Sequence, residues 1–363
     1  MKQRLDVVIL GGGPAGASAG ISLLQKNYSV AIIEKSDYSA SRIGETVQPQ
    51  LSILLSDLKI TNTIFQQHLP SNTIESVWGD ASLKENNFIR NPFGHGWHLD
   101  RLQFDKQLID HAEKAGATLF KGSEVKTITQ SDAGNWCIRF LNRGSMQTIH
   151  TRFIVDATGR NSFLVKHQGG FRKNIDHLIG LVSVRHTNSV AKESNFTLLE
   201  SVKNGWWYSA DIPGNKVVMA FMTDADIYKK EKTNAERYYD QSLSIAKFTE
   251  QRCSRLIPTP INVYAANSYV MSKTHGRNWL AIGDAEMAYD PLSSQGIYKA
   301  IKSGTSAATA VHEQFIGNKF ALENYANTGN IAFERYMQQR RSYYLMEKRW
   351  PQSLFWKRRH TDI

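Results

Sequence analysis

With 363 residues, 41% of them hydrophobic, the chain is long enough for one large domain or two interleaved ones around a sizeable core. Its two cysteines, Cys137 and Cys253, stand far apart without CxxC or Cys/His ligand spacing, which excludes a disulfide framework and a zinc-type metal site and suits a reducing compartment. The net charge of +11 favours encounter with acidic surfaces, whether nucleic acid, membrane or protein, and with no run of about 18 apolar residues no bilayer-spanning helix is expected. Residues 1–4 lead straight into an apolar strand with no export signal, so a cytoplasmic location is expected.

In chain order, the apolar run Leu5–Leu10 predicts a strand, residues 17–26 a helix, and residues 28–33 a second strand ending at Glu34. Residues 102–116 predict an amphipathic helix with Phe104, Leu108 and Ala112 on one face, followed by short strands at Thr118–Phe120 and 125–129. Residues 136–140 and 148–155 alternate like antiparallel strands, the second ending at Asp156-Ala157-Thr158-Gly159. From about 178 to 270 the pattern predicts one mixed sheet, with strands at 178–185, 196–200, 206–212, 216–222 and 261–269 and a single helical stretch near 232–247. A strand at 279–282 then ends at Gly283-Asp284, and residues 295–311 predict a long helix. The basic, aromatic C-terminus, with Arg340, Arg341, Lys348, Arg349, Lys357, Arg358 and Arg359 among Tyr343, Tyr344, Trp350, Phe355 and Trp356, predicts a solvated tail helix or a docking surface.

The first strand–helix–strand unit carries the most specific signal. Gly11, Gly13 and Gly16 satisfy GxGxxG, where glycine allows the tight turn, the close approach of backbone to a pyrophosphate, and close helix–strand packing. Gly11, Gly13, Pro14, Ala15 and Gly16 are the expected pyrophosphate loop. Glu34, 21 residues after Gly13, can accept the hydroxyls of an unphosphorylated ribose, with Lys35 beside it. That unit alone holds either NAD or FAD. Gly283-Asp284 after a buried strand, and Pro291 to Gly296 opening a helix, decide for FAD. Asp284 can bind a polyol chain, while the helix start at Gly296 and Ile297 faces the negative charge that a reduced flavin develops.

Gly11 to Gly16, the run Asp156-Ala157-Thr158-Gly159-Arg160-Asn161-Ser162, and Gly283-Asp284 with Pro291 to Gly296 resemble the three signatures of single-component FAD monooxygenases and flavin-dependent halogenases. The resemblance implies that Gly159 lies in the cofactor loop, that Arg42 and Arg101 lie along the cofactor, and that Val125 lies beside the adenine. The segment Ile43-Gly44-Glu45-Thr46-Val47-Gln48-Pro49 resembles the loop that covers the flavin in halogenases. Two departures argue against halogenation. Ser76-Val77-Trp78-Gly79 supplies no lysine where the halogenase lysine falls, Lys84 being out of register, and Trp206-Trp207-Tyr208-Ser209-Ala210-Asp211-Ile212-Pro213 only approximates WxWxIP. The segment from Gly94 to Arg101, residues 290–296 and the tail resemble LodB-like flavoproteins that mature cysteine tryptophylquinone oxidases and related quinohaemoprotein amine dehydrogenases.

That likeness implies oxygen insertion into a tryptophan of an acidic partner polypeptide, a quinoprotein precursor rather than nucleic acid, with O2 and a reduced nicotinamide or another donor. Glu45, His98 and Asp290 are candidates for proton handling, and Trp206, Trp207 and Tyr208 for an aromatic substrate pocket. The expected architecture is α/β: a Rossmann-type FAD-binding domain in three parts (1–75, 96–170, 271–317), a substrate segment (76–95), an inserted strand-rich substrate domain (171–270) and a C-terminal helical tail (318–363). A small-aromatic hydroxylase or prenyl reductase, a halogenase, and a flavin-bound chaperone without turnover are the rival readings.

Overall fold

The computed structural model describes residues 5–40, 42–187 and 195–361; residues 1–4, read above for export signals, lie outside it. The first sheet runs in the order His275–Gly276, Trp279–Ala281, Ser145–Asp156, Leu5–Leu10, Val30–Ile33, Thr118–Phe120, and all but its first pairing are parallel. Trp136–Asn142 and Ser123–Gln130 add an antiparallel meander to the long strand Ser145–Asp156. Val7 and Ile9 point to helices on one face, and Val8 and Leu10 to Trp136, Ile138 and Phe140 on the other. A strand covered on both faces must be apolar throughout, which is why Leu5–Leu10 scarcely alternates.

Helices Pro14–Gln25, Arg101–Lys114 and Gly296–Phe315 cover the first of those faces. Arg101–Lys114 is started by Asp100, whose side chain accepts from Gln103 N at 3.1 Å. Phe104, Leu108 and Ala112 are fully buried, as their spacing predicts.

The second sheet runs Leu256–Ile257, Leu178–Thr187, Lys216–Asp224, Gly205–Ile212, Phe196–Val202, Thr73–Val77, Lys84–Asn87, with Asn262–Ala265 also beside Leu178–Thr187. Two expectations are corrected here. The single strand 261–269 breaks after Ala265, and Tyr269–Met271 leaves to pair with Arg172–Asn174 and Met287–Ala288. Asp176 holds that break, its carboxylate accepting from Ser268 N at 3.3 Å. The single helix near 232–247 is three, Ala225–Lys230, Ala235–Leu243 and Lys247–Cys253. Asn234 caps the second, accepting from Arg237 N, and the buried Glu200 carboxylate accepts from Phe248 N and Thr249 N at the start of the third.

The 26-residue helix Ala321–Met346, about 39 Å long at 1.5 Å per residue, runs from the first core, where Leu322 and Tyr325 pack, to the second, where Tyr344 is buried. The short helix Leu354–Thr361 follows, and the expected solvated tail is corrected in part: Arg341, Tyr343, Lys348 and Lys357 are exposed, but the other basic and aromatic residues expected in it are buried or half-buried. Phe355 and Trp356 are fully buried against the second sheet, and Arg359 pairs with Asp224 at 2.7 Å, both inside the protein. Arg358 is tied to Asp226 and Asp224, and Arg349 to the buried Glu347. Tyr344, Phe355 and Trp356 here are packing residues, and Arg340, Arg349, Arg358 and Arg359 have counter-ions within the protein.

Candidate FAD and substrate site

A cavity of about 1070 Å³ lies between the two sheets. At one end the loop after Leu5–Leu10 turns so tightly that a Cβ on Gly11, at φ +103°, would sit 2.3 Å from Ala157 O, and one on Gly16 1.9 Å from Gly11 O. Gly11, Gly13, Pro14 and Ala15 line the cavity, while Gly16 is buried behind them as the helix–strand contact. Glu34 accepts from Gly12 N at 2.5 Å and Ser36 N at 2.8 Å, which fixes its carboxylate beside Lys35 at the cavity wall. Val125 and Gly159 also line the cavity, Gly159 beside the turn Gly283–Ala285.

Arg42 and Arg101 converge on one buried carboxylate. Asp105 receives Arg42 Nη1 at 3.2 Å and Arg101 Nε and Nη2 at 3.2 and 3.1 Å, and Arg101 Nη1 also donates to Ile43 O and Gly44 O. This clamp holds the loop from Arg42 to Thr46 over the cavity.

Asp284 sits at the middle of the cavity. Although its confinement opposes ionisation, Lys299 at 2.7 Å and Arg160 at 3.9 Å keep its carboxyl below the usual carboxylate range. Gly283 behind it, at φ +60°, packs on Ala15 and is not itself in the cavity wall. The helix Gly296–Phe315 starts at the wall without a side-chain cap, so its first amides, from Gly296 and Ile297, are available to an anion.

At the far end the roof is one face of the second sheet. Cross-strand pairing sets Tyr208 beside Ala220 and Ala220 beside Val182 in one row, and Met222, Gly180 and Tyr264 in the next. Small residues at Ala220 and Gly180 leave room under this roof. Glu45 faces it, nearly buried, with Oε2 unpartnered; burial, only partly opposed by Arg101, pushes its carboxyl up to about 7. Tyr208, held as a phenol by burial and the nearby Glu45, shares a 2.7 Å hydrogen bond with Thr46 Oγ1. Thr46 Oγ1 is 3.2 Å from Thr197 Oγ1, which is 2.9 Å from His98 Nε2, so a run of hydroxyls joins the cavity wall to a buried histidine.

The glycine loop, the Glu34 carboxylate, Asp284 and the uncapped helix start together form an elongated cradle whose donor set fits FAD. A model of the family described as FAD binding domain matches residues 4–338. The chain belongs to that family. Within it, the chain is 29% identical over 366 residues to LodB of Marinomonas mediterranea, named as an FAD-dependent oxidoreductase, covering 99% of this chain and 98% of that one. The flavin-dependent halogenase CmlS has the same fold, with a TM-score of 0.89 at 24% identity, covering 99% of this chain and 68% of its own. So does QhpG, named as a peptidyl tryptophan dihydroxylase essential for tryptophylquinone cofactor biogenesis, with a TM-score of 0.80 at 20% identity over 99% of this chain and 80% of its own. The chain is an FAD-dependent enzyme of the oxidoreductase class.

Of the residues expected to hold substrate or handle protons, three stand outside the cavity wall, and a fourth, Asp290, lines it but is engaged by other partners. Trp206 and Trp207 are fully buried outside the cavity: Trp207 faces the opposite side of the sheet, stacked on Phe221 against Tyr239, and Trp206 donates to Tyr344 OH at 3.0 Å. Of the three aromatics only Tyr208 lines the cavity: alternation along the strand turns Trp207 to the other face, and Trp206, on the same face as Tyr208, is covered by Trp78 and Tyr344. His98 is fully buried behind the wall, where desolvation depresses its pKa to about 4, so it is a neutral end of the hydroxyl run rather than an acid in contact with substrate. Asp290 lines the cavity, but its carboxylate accepts from Leu292 N at 2.9 Å, Arg340 Nε at 3.2 Å and Tyr344 OH at 2.8 Å. It anchors the long C-terminal helix to the loop that precedes the helix Gly296–Phe315. Sequence reasoning missed Asp105, Lys299, Thr46 and Thr197 as site residues. Asp105 sits four residues after Arg101, a helical pairing distance that signals an ion pair; for the threonines no local signal exists. Among the described residues no cluster suited to a metal ion occurs, and no helix is long and apolar enough to cross a membrane.

Proposed function

We propose that the chain is an FAD-dependent monooxygenase that hydroxylates a tryptophan side chain of an acidic partner polypeptide, a quinoprotein precursor, using O2 and a reduced nicotinamide or another electron donor. The observation that carries this reading is the far end of the cavity: an apolar, small-residue roof facing one phenol and one near-neutral carboxyl. Bound FAD, once reduced, supplies oxygen transfer from O2. The protein's part is to hold and orient the ring. Val182, Ala220 and Met222 offer a flat apolar ceiling that excludes water from an indole, and Tyr208, fixed by Thr46, offers a hydrogen-bond group at its edge. Glu45, with its free Oε2 and a pKa close to neutrality, is suited to give or take the proton that ring oxidation requires.

Halogenation is the reading to weigh against this one, since CmlS shares the fold. The only lysine in the described cavity wall is Lys35, at the ribose end, while Lys84 is exposed on the outer strand Lys84–Asn87 and paired with Asp80 at 2.7 Å. The likeness to LodB supports FAD-dependent oxidation, and the peptidyl tryptophan in the name of QhpG supports a protein side chain as the group oxygenated. The test is O2 consumption by the reduced enzyme: a requirement for the unmodified precursor supports the proposal, and equal consumption with free aromatic small molecules overturns it.

A further inference from the structure

We propose that the outer edge of the strand Asn262–Ala265 is the docking site for the substrate polypeptide, which joins the second sheet as an added strand and so brings its aromatic side chain to the cavity mouth. The inference rests on the reading that the substrate is a polypeptide. Asn262–Ala265 pairs on one side with Leu178–Thr187, and among the described residues no strand pairs on its other side.

The hydrogen-bond phase of this edge follows from the register. Ala266 N donates to Leu178 O at 3.0 Å, and bonded pairs recur at every second residue of an antiparallel ladder. Tyr264 and Asn262, opposite Gly180 and Val182, therefore spend their backbone groups on the sheet. Val263 and Ala265 turn their N–H and C=O outward, spaced to receive an extended chain.

Natural edges are protected by charge, bulges or covering segments. Along Asn262–Ala265 neither charge nor cover protects it: all four residues are exposed, Val263 at 46% and Tyr264 at 45%, no residue from 256 to 266 is charged, and Pro258 and Pro260 lie before the strand rather than in it. The edge is also continuous with the site, since Tyr264, Ala265 and Ala266 line the cavity. Residues directly opposite one another share a sheet face, so the row Met222, Gly180, Tyr264 extends to whichever side chain of an added strand stands across from Tyr264. That pair is of the non-bonded kind, with Cα atoms about 4.5 Å apart, and it faces the cavity. Main-chain bonds would give affinity and the one cavity-facing position specificity, as in other strand-addition complexes.

The test is Val263→Pro in the full-length holoenzyme. Proline removes an outward N–H while leaving the ladder to Leu178–Thr187 intact, and Val263 lies outside the cavity wall. Oxidation of the precursor polypeptide should fall at least about tenfold, with FAD content and reoxidation of the reduced enzyme unchanged, while Val263→Ala stays near wild type. Amide exchange on the wild-type chain gives an independent reading: Val263 and Ala265 should become protected when precursor is added. Precursor oxidation by a folded Val263→Pro at the wild-type rate, or no protection at those amides, overturns the docking site and leaves the monooxygenase reading standing. A wild-type dimer that Val263→Pro splits would assign the edge to a second copy of the chain and also overturn it. A precursor that the wild type never modifies fails the functional reading itself.

Discussion

The two ends of the cavity are built differently. At the ribose end the groups come mainly from short contiguous stretches, Gly11 to Ala15 and Glu34 to Lys35, fixed by backbone hydrogen bonds and glycine sterics. At the far end the wall is assembled from Glu45 and Thr46, Gly180, Tyr208, Ala220 and Tyr264, which only the register of the second sheet brings together. The first end tolerates little change because its atoms are already in contact; the second keeps open space, an unpaired carboxyl and a neutral hydroxyl run. A site that must hold one cofactor and admit a variable substrate divides its labour in this way.

The largest effect is expected at the ribose end. Glu34→Ala removes a carboxylate that fixes the glycine loop and that we propose binds the ribose, and with about 1.5–3 kcal/mol per charge-assisted hydrogen bond FAD affinity should fall by roughly one to two orders of magnitude, read by flavin fluorescence on dilution. Next comes the anchor between the ends. Asp290→Ala leaves the buried Arg340 with Asp176 alone, and breaking a buried pair costs about 3–5 kcal/mol, so the melting temperature should drop by many degrees. A proton-handling Asp290 would instead alter the pH profile with little loss of stability.

Glu45→Gln should lower precursor oxidation by about 10–100-fold while FAD stays bound, and the variant should lack the pH limb near 7 expected of the wild type. The same residue sets a stability trend. Folding raises its carboxyl from 4.5 to about 7, so the folded state holds the proton more tightly; this contribution is fully present below about pH 4.5 and is lost as pH rises through 7. Glu45→Gln should therefore melt higher than the wild type at pH 8, and the gap should close toward pH 5. Thr46→Val cuts the run from Tyr208 to His98 and should cost a few-fold in turnover. Lys84→Ala, at an exposed pair on the outer strand, should change neither oxidation nor stability measurably.

The same division explains what was legible in the sequence. The strand–glycine–helix unit, Asp284 and the helix start at Gly296 announce themselves because a phosphate cradle demands particular residues at fixed local spacing. The buried faces of Leu5–Leu10 and Arg101–Lys114 are equally local. Trp206 and Trp207 misled because a strand rich in tryptophan suits a core as well as a pocket, and only register and the C-terminal helices decide which face is which. The tail misled for a similar reason: Arg349, Arg358 and Arg359 look like a solvated charge run until Glu347, Asp224 and Asp226, two of them far away in sequence, arrive as partners. His98 stood beside a cofactor motif in sequence, yet the short pairing of Thr46–Val47 with Gly96–His98 turns it behind the wall.

The most direct measurement is the intact mass and fragment map of the precursor polypeptide after incubation with reduced enzyme, O2 and added bromide. Gain of one or two oxygens on a tryptophan, with no bromine, is the predicted result; a brominated product or an unchanged precursor mass would contradict it.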